Sequence, residues 1–557
     1  MSGERDLQGL GATHDVVNQP PPFEGVNLLE ADLALREGLA REGAGGFIDA
    51  VHDFGATLGS AHVLALGREA NRFPPELRSY DRFGHRLDEV YFHPAWHEML
   101  RLGMAAEVHN LPWRTKRPGA HVARSAMLSL LSQVESGVCC PITMTFAALP
   151  ALRHQKEIAE QWEPLLLGTS YDPRSVPAGE KSAVLVGMAM TEKQGGSDVR
   201  ANSTRAYPVG AGGSGEEYTL IGHKWFCSAP MSDAFLTLAQ ADRGLSCFLV
   251  PRVLPDGVRN PFQIQRLKDK LGNRSNASSE VEFRGTVARM VGEEGRGVRT
   301  ILDMVHHTRL DCVSGSTGLM RQALAQALHH ARHRTVFGRR LVEQPLMESV
   351  LADLALESEA ATALMLRLAR AYDEAPSNEA ERAFARLATA VAKYWVCKRA
   401  PAMIAEAMEC LGGNGYVEES ILPRLFREAP VNAIWEGSGN VICLDVLRAL
   451  VREPSSVPTL LDELRLARGG NRTLDAFVDR LERELSDPAA AEPRARGLVE
   501  CMALALQGSL LVRSAPPFVA DAFCETRLQR EGGLLFGALP AGAPRHPIVA
   551  RALFSAV

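Results

Sequence analysis

Glu436 lies between Trp435 and Gly437 in the run Ile434–Asn440, IWEGSGN. A carboxylate beside a large apolar ring gains proton affinity and suits a general base. An ordinary turn or capping carboxylate fits the same residues. Ser438 and Asn440 are natural N-cap types ahead of the apolar run that follows. Backbone N–H groups at the start of a helix suit a phosphate. Gly412 and Gly413, in LGGNGY, add loop backbone upstream of the same stretch.

Three further segments pair glycine or aromatic residues with hydroxyls or a cation. Met188–Asp198, MAMTEKQGGSD, follows the apolar run AVLVG. A strand that runs into such a loop presents N–H groups and hydroxyls. Thr191 and Ser197 can donate or accept, and Gly195 and Gly196 let a flat ligand or phosphate reach the backbone. A hairpin with turn glycines has the same composition. Gly222–Pro230, GHKWFCSAP, sets Trp225, Phe226 and Cys227 beside Ser228 at a strand end. That offers aromatic surface to a planar ring and a hydroxyl to its edge, or simply a core. In RTVFG, Arg334 suits a phosphate and Phe337 a ring; a surface arginine beside a core phenylalanine reads equally well.

The elements that must position these segments follow from pattern. At about 150 residues per domain, the 557 residues make about three to four domains. With 46% hydrophobic and 23% charged residues, a mostly disordered or collagen-like chain is excluded. The net charge of −5, from 61 basic and 66 acidic residues, excludes a histone-like coat but leaves a local basic patch open. The opening MSGERDLQGLGATHD lacks the apolar core of a secretion signal. No run reaches roughly 18 uninterrupted apolar residues, so no membrane span and no membrane partner is expected. Ten cysteines, none in CxxC, read as reduced thiols of a cytoplasmic protein without a metal site.

Residues 1–180 read as mainly helical, broken at Gln19–Phe23, Phe73–Glu76 and Tyr171–Gly179. Residues 181–292 hold short apolar or alternating runs, AVLVGMAM, EYTLIG, AFLTLAQ, LSCFLV and SEVEF, and read as a β-domain. Residues 293–452 return to long Ala/Leu helices over Leu319–His333, Leu346–Ala371 and Ala380–Leu411, the last broken at Pro401, and suggest a bundle. After a boundary at Arg452–Pro458, residues 455–557 form an additional helical domain. The fold class is therefore multidomain α+β.

In this order and spacing the segments together resemble the acyl-CoA dehydrogenase family of flavoproteins. MTEKQGGSD resembles the family's TEPxAGSD flavin loop, and GHKWFCS its second flavin strand. Lys270–Phe283, KLGNRSNASSEVEF, is similar to its end-of-β-domain segment, and IWEGSGN to its IYEGT loop. RTVFG and GGNGY resemble segments that a neighbouring subunit contributes to the adenine and diphosphate. Within the family, TEKQGGSDVRAN, FCSAPMSDAFLTLAQ, VPRVLPDG, HDVVNQPPPFEGVNL, FHPAWHEML and the additional C-terminal helices resemble the AidB-type branch.

The resemblance implies an acyl-CoA dehydrogenase-like fold, FAD, a homotetramer, a role in the adaptive response to DNA alkylation, and double-stranded DNA bound by the C-terminal domain. It places Met188, Met190, Thr191, Gly196, Ser197, Phe226, Cys227 and Ser228 around the flavin. Arg334, Phe337, Gly412 and Gly413 fall at the adenosine half, and Trp435, Gly437, Ser438 and Asn440 at the flavin-side loop. Glu436 falls at the catalytic base, and Arg309 at the substrate. Acyl-CoA is the implied substrate class. The alternative is an ordinary short- or branched-chain dehydrogenase whose C-terminal domain serves only assembly. Three departures bear on the substrate mouth: Lys193 and Gln194 replace the usual proline region, His306 and His307 precede Arg309, and Pro345 stands where many relatives carry glutamine.

After residue 455 there are twelve arginines, no lysine and twelve acidic residues. Such a neutral domain binds DNA only through a clustered face. Arg465, Arg468 and Arg472 share a helix face if one helix extends that far, and Gly469 and Gly470 stand in its way. Arg480, Arg483, Arg494, Arg496 and Arg513 add to the candidate surface, which reads equally as a solvated face or a subunit contact.

Overall fold

A computed structural model of the chain describes residues 14–486, 492–529 and 542–553. Most of the opening segment read above for a secretion signal lies outside them. The described chain starts with α1 (Leu33–Arg41), α2 (Ile48–Leu58) and α3 (Ala61–Arg72). Asp32 and Ser60 cap α1 and α3 by accepting from Leu35 N and Val63 N. A hairpin of β1 (Glu76–Tyr80) and β2 (Arg86–Tyr91) follows, where the helical pattern predicts no strand. Asp81 closes its turn by accepting from Phe83 N and His85 N. Its apolar residues Leu77 and Val90 pack on the β-domain core.

Next come α4 (Pro94–Ala105), α5 (Leu111–Arg114), α6 (Ala120–Val134), α7 (Cys139–Leu152) and α8 (Lys156–Leu166). Every residue of α6 is buried, so it is the axis of this half of the molecule. Gly119 starts α6 at φ +82°, and a Cβ there would stand 2.3 Å from the Gly43 carbonyl oxygen. Only glycine meets both demands.

The β-domain comprises β3 (Val186–Ala189), β4 (Arg205–Pro208), β5 (Glu217–Ser228), β6 (Ala234–Ala241), β7 (Gly244–Pro251), β8 (Phe262–Leu267) and β9 (Ser278–Val291). Its strand order is β3-β6-β4-β5-β9-β7, with β8 on β9. Pairing of β6 with β7 closes the path into a barrel around Phe235, Phe248, Phe262 and Phe283. The two short strands β4 and β8 escape the pattern of apolar runs because they are largely polar.

The bundle is built from α9 (Gly297–His333), α10 (Pro345–Glu374) and α11 (Glu379–Cys410), with a small hairpin of β10 (Thr335–Val336) and β11 (Arg339–Arg340) between α9 and α10. The expected break at Pro401 does not occur: α11 runs through it, held by buried Ala400, Met403 and Ile404. Tertiary packing overrides the local cost of the proline. The short α12 (Gly413–Tyr416), then α13 (Leu422–Asn432) and α14 (Gly439–Arg452), complete this region.

The C-terminal helices are α15 (Ser456–Arg465), α16 (Arg472–Leu485), α17 (Ala495–Ser514), α18 (Pro517–Leu528) and α19 (Arg545–Ala552). Helix α17 is apolar enough to cross a membrane by length and composition, yet most of it is buried inside the molecule. These helices share one continuous core with the bundle and with α1–α6. Buried ion pairs join them to it. Arg367 of α10 bonds Glu463 at 2.8 Å and Glu381 at 2.8 Å. Arg527 of α18 bonds Asp353 at 2.5 Å and Glu357 at 3.3 Å. Removing one partner of such a pair costs about 3–5 kcal/mol, so the added domain is docked rather than tethered.

Candidate active site

Helix α14 begins directly after the Glu436 loop, and α13 ends directly before it. Ile434 and Trp435 continue the last turn by bonding Val431 O. Glu436 then turns the chain at φ +58°, a left-handed conformation rare outside glycine and asparagine. Gly437 follows at φ +115°. Two buried cations hold this turn. Arg309 Nε donates to Glu436 O at 3.1 Å, and Lys393 Nζ donates to Gly437 O. Arg309 is itself fixed by Asp445 at 2.7 Å, and Arg386 bonds the other oxygen of Asp445 at 3.0 Å. Asp445 belongs to α14, so the loop is clamped to the helix it starts. Backbone strain of this kind persists only where the surroundings over-determine it.

The Glu436 side chain is half-buried. Burial raises its proton affinity above the ordinary carboxylate range; the Thr308 hydroxyl, Arg309 and Lys393 offset part of that rise. A carboxylate with raised affinity and one accessible side can act as a general base. Ser438 takes the N-cap position of α14 but forms no side-chain cap bond, and Asn440 is already inside the helix. The first N–H groups of α14 are therefore not capped by Ser438.

The loop expected to face a flavin leaves β3 after Ala189. Met188 and Met190 pack on the same hydrophobic cluster as Trp435, which brings the flavin loop and the Glu436 loop to one place. Trp225 N donates to Thr191 O at 2.8 Å and ties β5 to this loop. Thr191 and Ser228 keep partial exposure, and Gly196, Ser197 and Phe226 are exposed. A Cβ on Gly196 would meet Thr191 Oγ1 at 2.4 Å, so the turn demands glycine there. Two methionines, a threonine and a serine hydroxyl around open backbone fit a planar, polar-edged ring such as a flavin. Cys227 is a correction: it is fully buried inside the barrel, and its side chain presents nothing to a ligand on that face. Alternation along β5, with a bulge between Lys224 and Cys227, turns it inward.

The residue pair that organises this loop escaped the sequence reading. Glu192 and Lys224 are fully buried and 2.9 Å apart. Glu192 also accepts from Ser203 N at 2.6 Å, Ser203 Oγ at 2.8 Å and Thr204 N at 3.1 Å. Burial alone would push its carboxyl up; Lys224 and these donors hold it down to about 2. The signal was two charged residues in otherwise apolar or turn segments, TEK and GHKWF.

The residues expected at the adenosine half form a second group. Arg334 Nη1 donates to Asn18 O at 2.7 Å, and Asn18 exchanges bonds with Thr335 at 2.7 and 2.8 Å. Asn414, beside Gly413, donates to Gln19 at 3.4 Å. The N-terminal strap at Asn18–Gln19 thus joins RTVFG to GGNGY, a role not read from its sequence. Phe337 is not a core residue: it sits at the hairpin tip, 97% exposed. Gly412 and Gly413 are open, with no atom within 4 Å of a built Cβ.

Arg309 is also a correction. It is buried, with Nε on the Glu436 carbonyl and Nη1 on Asp445, so these donors hold the Glu436 turn and are not free for a substrate. His306 and His307 are neutral: burial pushes His306 down to about 3 and His307 well below its usual value.

The arginines considered for DNA do not share one helix. Helix α15 ends at Arg465, Gly469 turns at φ +83°, and Arg472 begins α16. Arg465 pairs with Asp462 at 3.1 Å and Glu482 at 2.9 Å, and Arg468 with Asp479 at 2.5 Å. Arg513 pairs with Glu463 inside the docking network at 2.5 Å. Arg494 pairs with Glu484, and Arg496 donates to the Tyr394 hydroxyl. Arg480 packs over Phe477, 4.7 Å from the ring centre. Arg472 and Arg483 have no ion pair among the described residues.

A helical region, a closed β-domain and a helical bundle that meet at a clamped glutamate define an acyl-CoA dehydrogenase-like fold. The family comparisons agree: residues 187–286 match the acyl-CoA dehydrogenase middle domain and residues 295–451 its C-terminal domain. Residues 18–173 match the N-terminal domain of the adaptive response protein AidB. The chain is 49% identical to AidB of Escherichia coli (strain K12) over 94% of its own length and 96% of that protein. It is 30% identical to acyl-CoA dehydrogenase family member 11 of Caenorhabditis elegans, over 83% of this chain and 76% of that one. The solved structure of C. elegans ACDH-11 in complex with C11-CoA superposes with a TM-score of 0.84 at 26% identity, covering 97% of each chain. The chain belongs to the AidB branch of the acyl-CoA dehydrogenase family.

Proposed function

We propose that this chain is an FAD-containing protein of the DNA-alkylation response that keeps an acyl-CoA dehydrogenase site with Glu436 as its base. The single observation that carries the reading is the Glu436 turn, held at a strained φ by Arg309 and Lys393 beside the cluster shared with Met188 and Met190. Bound FAD supplies the hydride acceptor. Met190, Thr191, Gly196, Ser197 and Ser228 line its ring side, and Arg334, Gly412 and Gly413 suit its adenosine half. Glu436 takes the α-proton of a thioester, and its fixed backbone sets the direction from which the carboxylate approaches. Phe337, Leu346 and Tyr416 are exposed apolar side chains beside the adenosine-side group; they support a homotetramer in which that group serves a neighbouring subunit. The ten unpaired thiols support a cytoplasmic setting.

The test follows flavin absorbance of the holoprotein without oxygen as isovaleryl-CoA is added. Bleaching that Glu436→Gln lacks, with flavin still bound, supports the reading. A bound flavin that no acyl-CoA bleaches in the native protein sinks it.

A second reading, binding of double-stranded DNA by the C-terminal helices, is favoured by the AidB relationship together with Arg472 and Arg483, two candidates on α16 without an ion pair within 4.0 Å among the described residues. Binding that stays unchanged when both become alanine removes that assignment.

A further inference from the structure

Lys270 stands half-buried in the loop between β8 and β9. Its ammonium donates to Asn276 O at 2.6 Å and to Ser278 Oγ at 2.9 Å. Ser278 opens β9 directly opposite Ser228, the last residue of β5, and 3.4 Å separates the two hydroxyl oxygens. Ser278 is buried, whereas Ser228 keeps partial exposure. One buried hydroxyl therefore links the ammonium to the hydroxyl expected at the ring edge of the cofactor. The buried Cys140 thiol of α7 bonds the side chains of Ser228 and Asn276 and joins the same cluster.

Other lysines of this region that are withdrawn from solvent have a counter-ion. Lys224 pairs with Glu192 at 2.9 Å, Lys181 with Asp233 at 2.6 Å and Lys268 with Glu280 at 2.7 Å. Among the described residues no carboxylate lies within 4.0 Å of the Lys270 ammonium, whose partners are a carbonyl and a hydroxyl. Glu428 and Glu135 act on it only from farther away. Glu428 is spent on Asn273 N and Nδ2 at 2.6 and 2.8 Å, and Glu135 on Asn71, Val138 N and Ser275. Burial pushes the Cys140 thiol up to about 11, so it stays neutral and offsets no charge. Burial also pushes Lys270 down to about 8, which leaves it a cation at neutral pH. A charge drawn out of water without a partner is costly, and such groups cluster at functional sites.

We propose that Lys270 sets the redox balance of the bound flavin: acting through Ser278 and Ser228, its ammonium favours the reduced ring over the oxidised one. The inference rests on the flavin reading above and adds the residue that tunes the cofactor. A flavin ring gains negative charge on reduction at neutral pH, and a fixed cation lowers the free energy of the more negative form. The two electrons come from the reductant, dithionite in the experiment below. Lys270 makes and breaks no bond and keeps its proton. It is a positioning residue, because it acts through Ser228.

The experiment titrates anaerobic holoprotein with dithionite beside a reference dye. Absorbance gives the ratio of reduced to oxidised flavin at the point where the dye is half-reduced. Lys270→Gln, which keeps a donor for Asn276 but no charge, should lower that ratio at least about tenfold relative to the native protein. Lys270→Arg, which keeps the charge, should retain most of it. Ser278→Ala, which keeps the ammonium but removes its link to Ser228, should give a smaller fall, and it serves if Lys270→Gln does not fold or hold flavin. An unchanged ratio in Lys270→Gln or in Ser278→Ala overturns the inference, as does an equal fall in Lys270→Arg. A native protein that holds no flavin overturns the flavin reading and this inference together. A ratio that depends on Lys270 in a protein whose flavin no acyl-CoA bleaches supports the inference and sinks the dehydrogenase reading alone.

Discussion

The Glu436 loop and the C-terminal helices both use arginine, buried at the loop and mostly exposed in the helices, but to opposite ends. At the loop, Arg309 and Lys393 point at two consecutive backbone carbonyls and leave the Glu436 carboxylate accessible. In the C-terminal helices, Arg465, Arg468 and Arg513 point at carboxylates and are neutralised by them. The first arrangement concentrates function on one side chain. The second gives docking and a balanced surface. Arginine content alone therefore says nothing about where a polyanion or a substrate binds; the partner of each guanidinium decides.

The largest effect that tests this contrast is at Glu436, the proposed base. Glu436→Gln should slow flavin reduction by acyl-CoA by about 10²–10⁴-fold, the usual range for loss of a positioned acid or base. In the native protein the rate should rise with pH as the carboxyl, whose proton affinity burial raises, loses its proton, and then level off. The residual rate of the glutamine variant should show no such rise, because the amide does not titrate. A rise of equal size in both proteins would move the base elsewhere.

Next in size is the Glu192–Lys224 pair. Lys224→Met leaves a buried carboxylate without its cation and should cost about 3–5 kcal/mol of stability. Thermal unfolding of the variant, read with flavin content, checks this. Adding Glu192→Gln should recover part of the loss, since the orphaned charge then disappears. A Lys224→Met protein as stable as the native one would show that the Ser203 and Thr204 donors suffice.

Lys393→Met follows. It removes the cation from the Gly437 carbonyl and lets the strained turn relax. A displacement of about 1 Å at the base is enough for roughly 10²-fold in rate. The expected signature is a lower maximal bleaching rate with thioester affinity little changed, and flavin still bound. A change in affinity alone would mean that Lys393 lines the substrate path rather than supporting the loop.

Much of this candidate site is legible in sequence because the segments read as flavin loops and as a base loop are short, contiguous and rich in unusual residues. MTEKQGGSD, GHKWFCS and IWEGSGN each announce a turn or a strand end, and the structure brings the first and third onto one cluster. What stayed hidden is what depends on distance along the chain. Glu192 and Lys224 are 32 residues apart, and no local spacing pairs them. Asn18 meets Arg334 across 316 residues. The β1–β2 hairpin has no apolar run, because its outer face is exposed and only Leu77 and Val90 face the barrel. Pro401 predicts a break that packing on both sides of α11 overrides.

The smallest expected effects lie on α15 and α16, and there the comparison can be sharpened within one surface. Arg465 and Arg468 are exposed and already paired, and exposed pairs contribute about 0–1 kcal/mol. Replacing both with alanine should leave thermal stability almost unchanged and frees Asp479 and Glu482, so any DNA affinity should fall slightly. Arg472 and Arg483 have no ion pair within 4.0 Å among the described residues, although Arg483 lies close enough to Asp479 to favour its charged form. If they contact phosphates, each replacement should lower the slope of log affinity against log salt by about 0.9. Duplex binding titrated across several salt concentrations distinguishes the pairs. A slope that changes only with Arg465 and Arg468 would mean that DNA displaces their carboxylate partners, and the division between arginines with and without a close ion pair would fail for this surface.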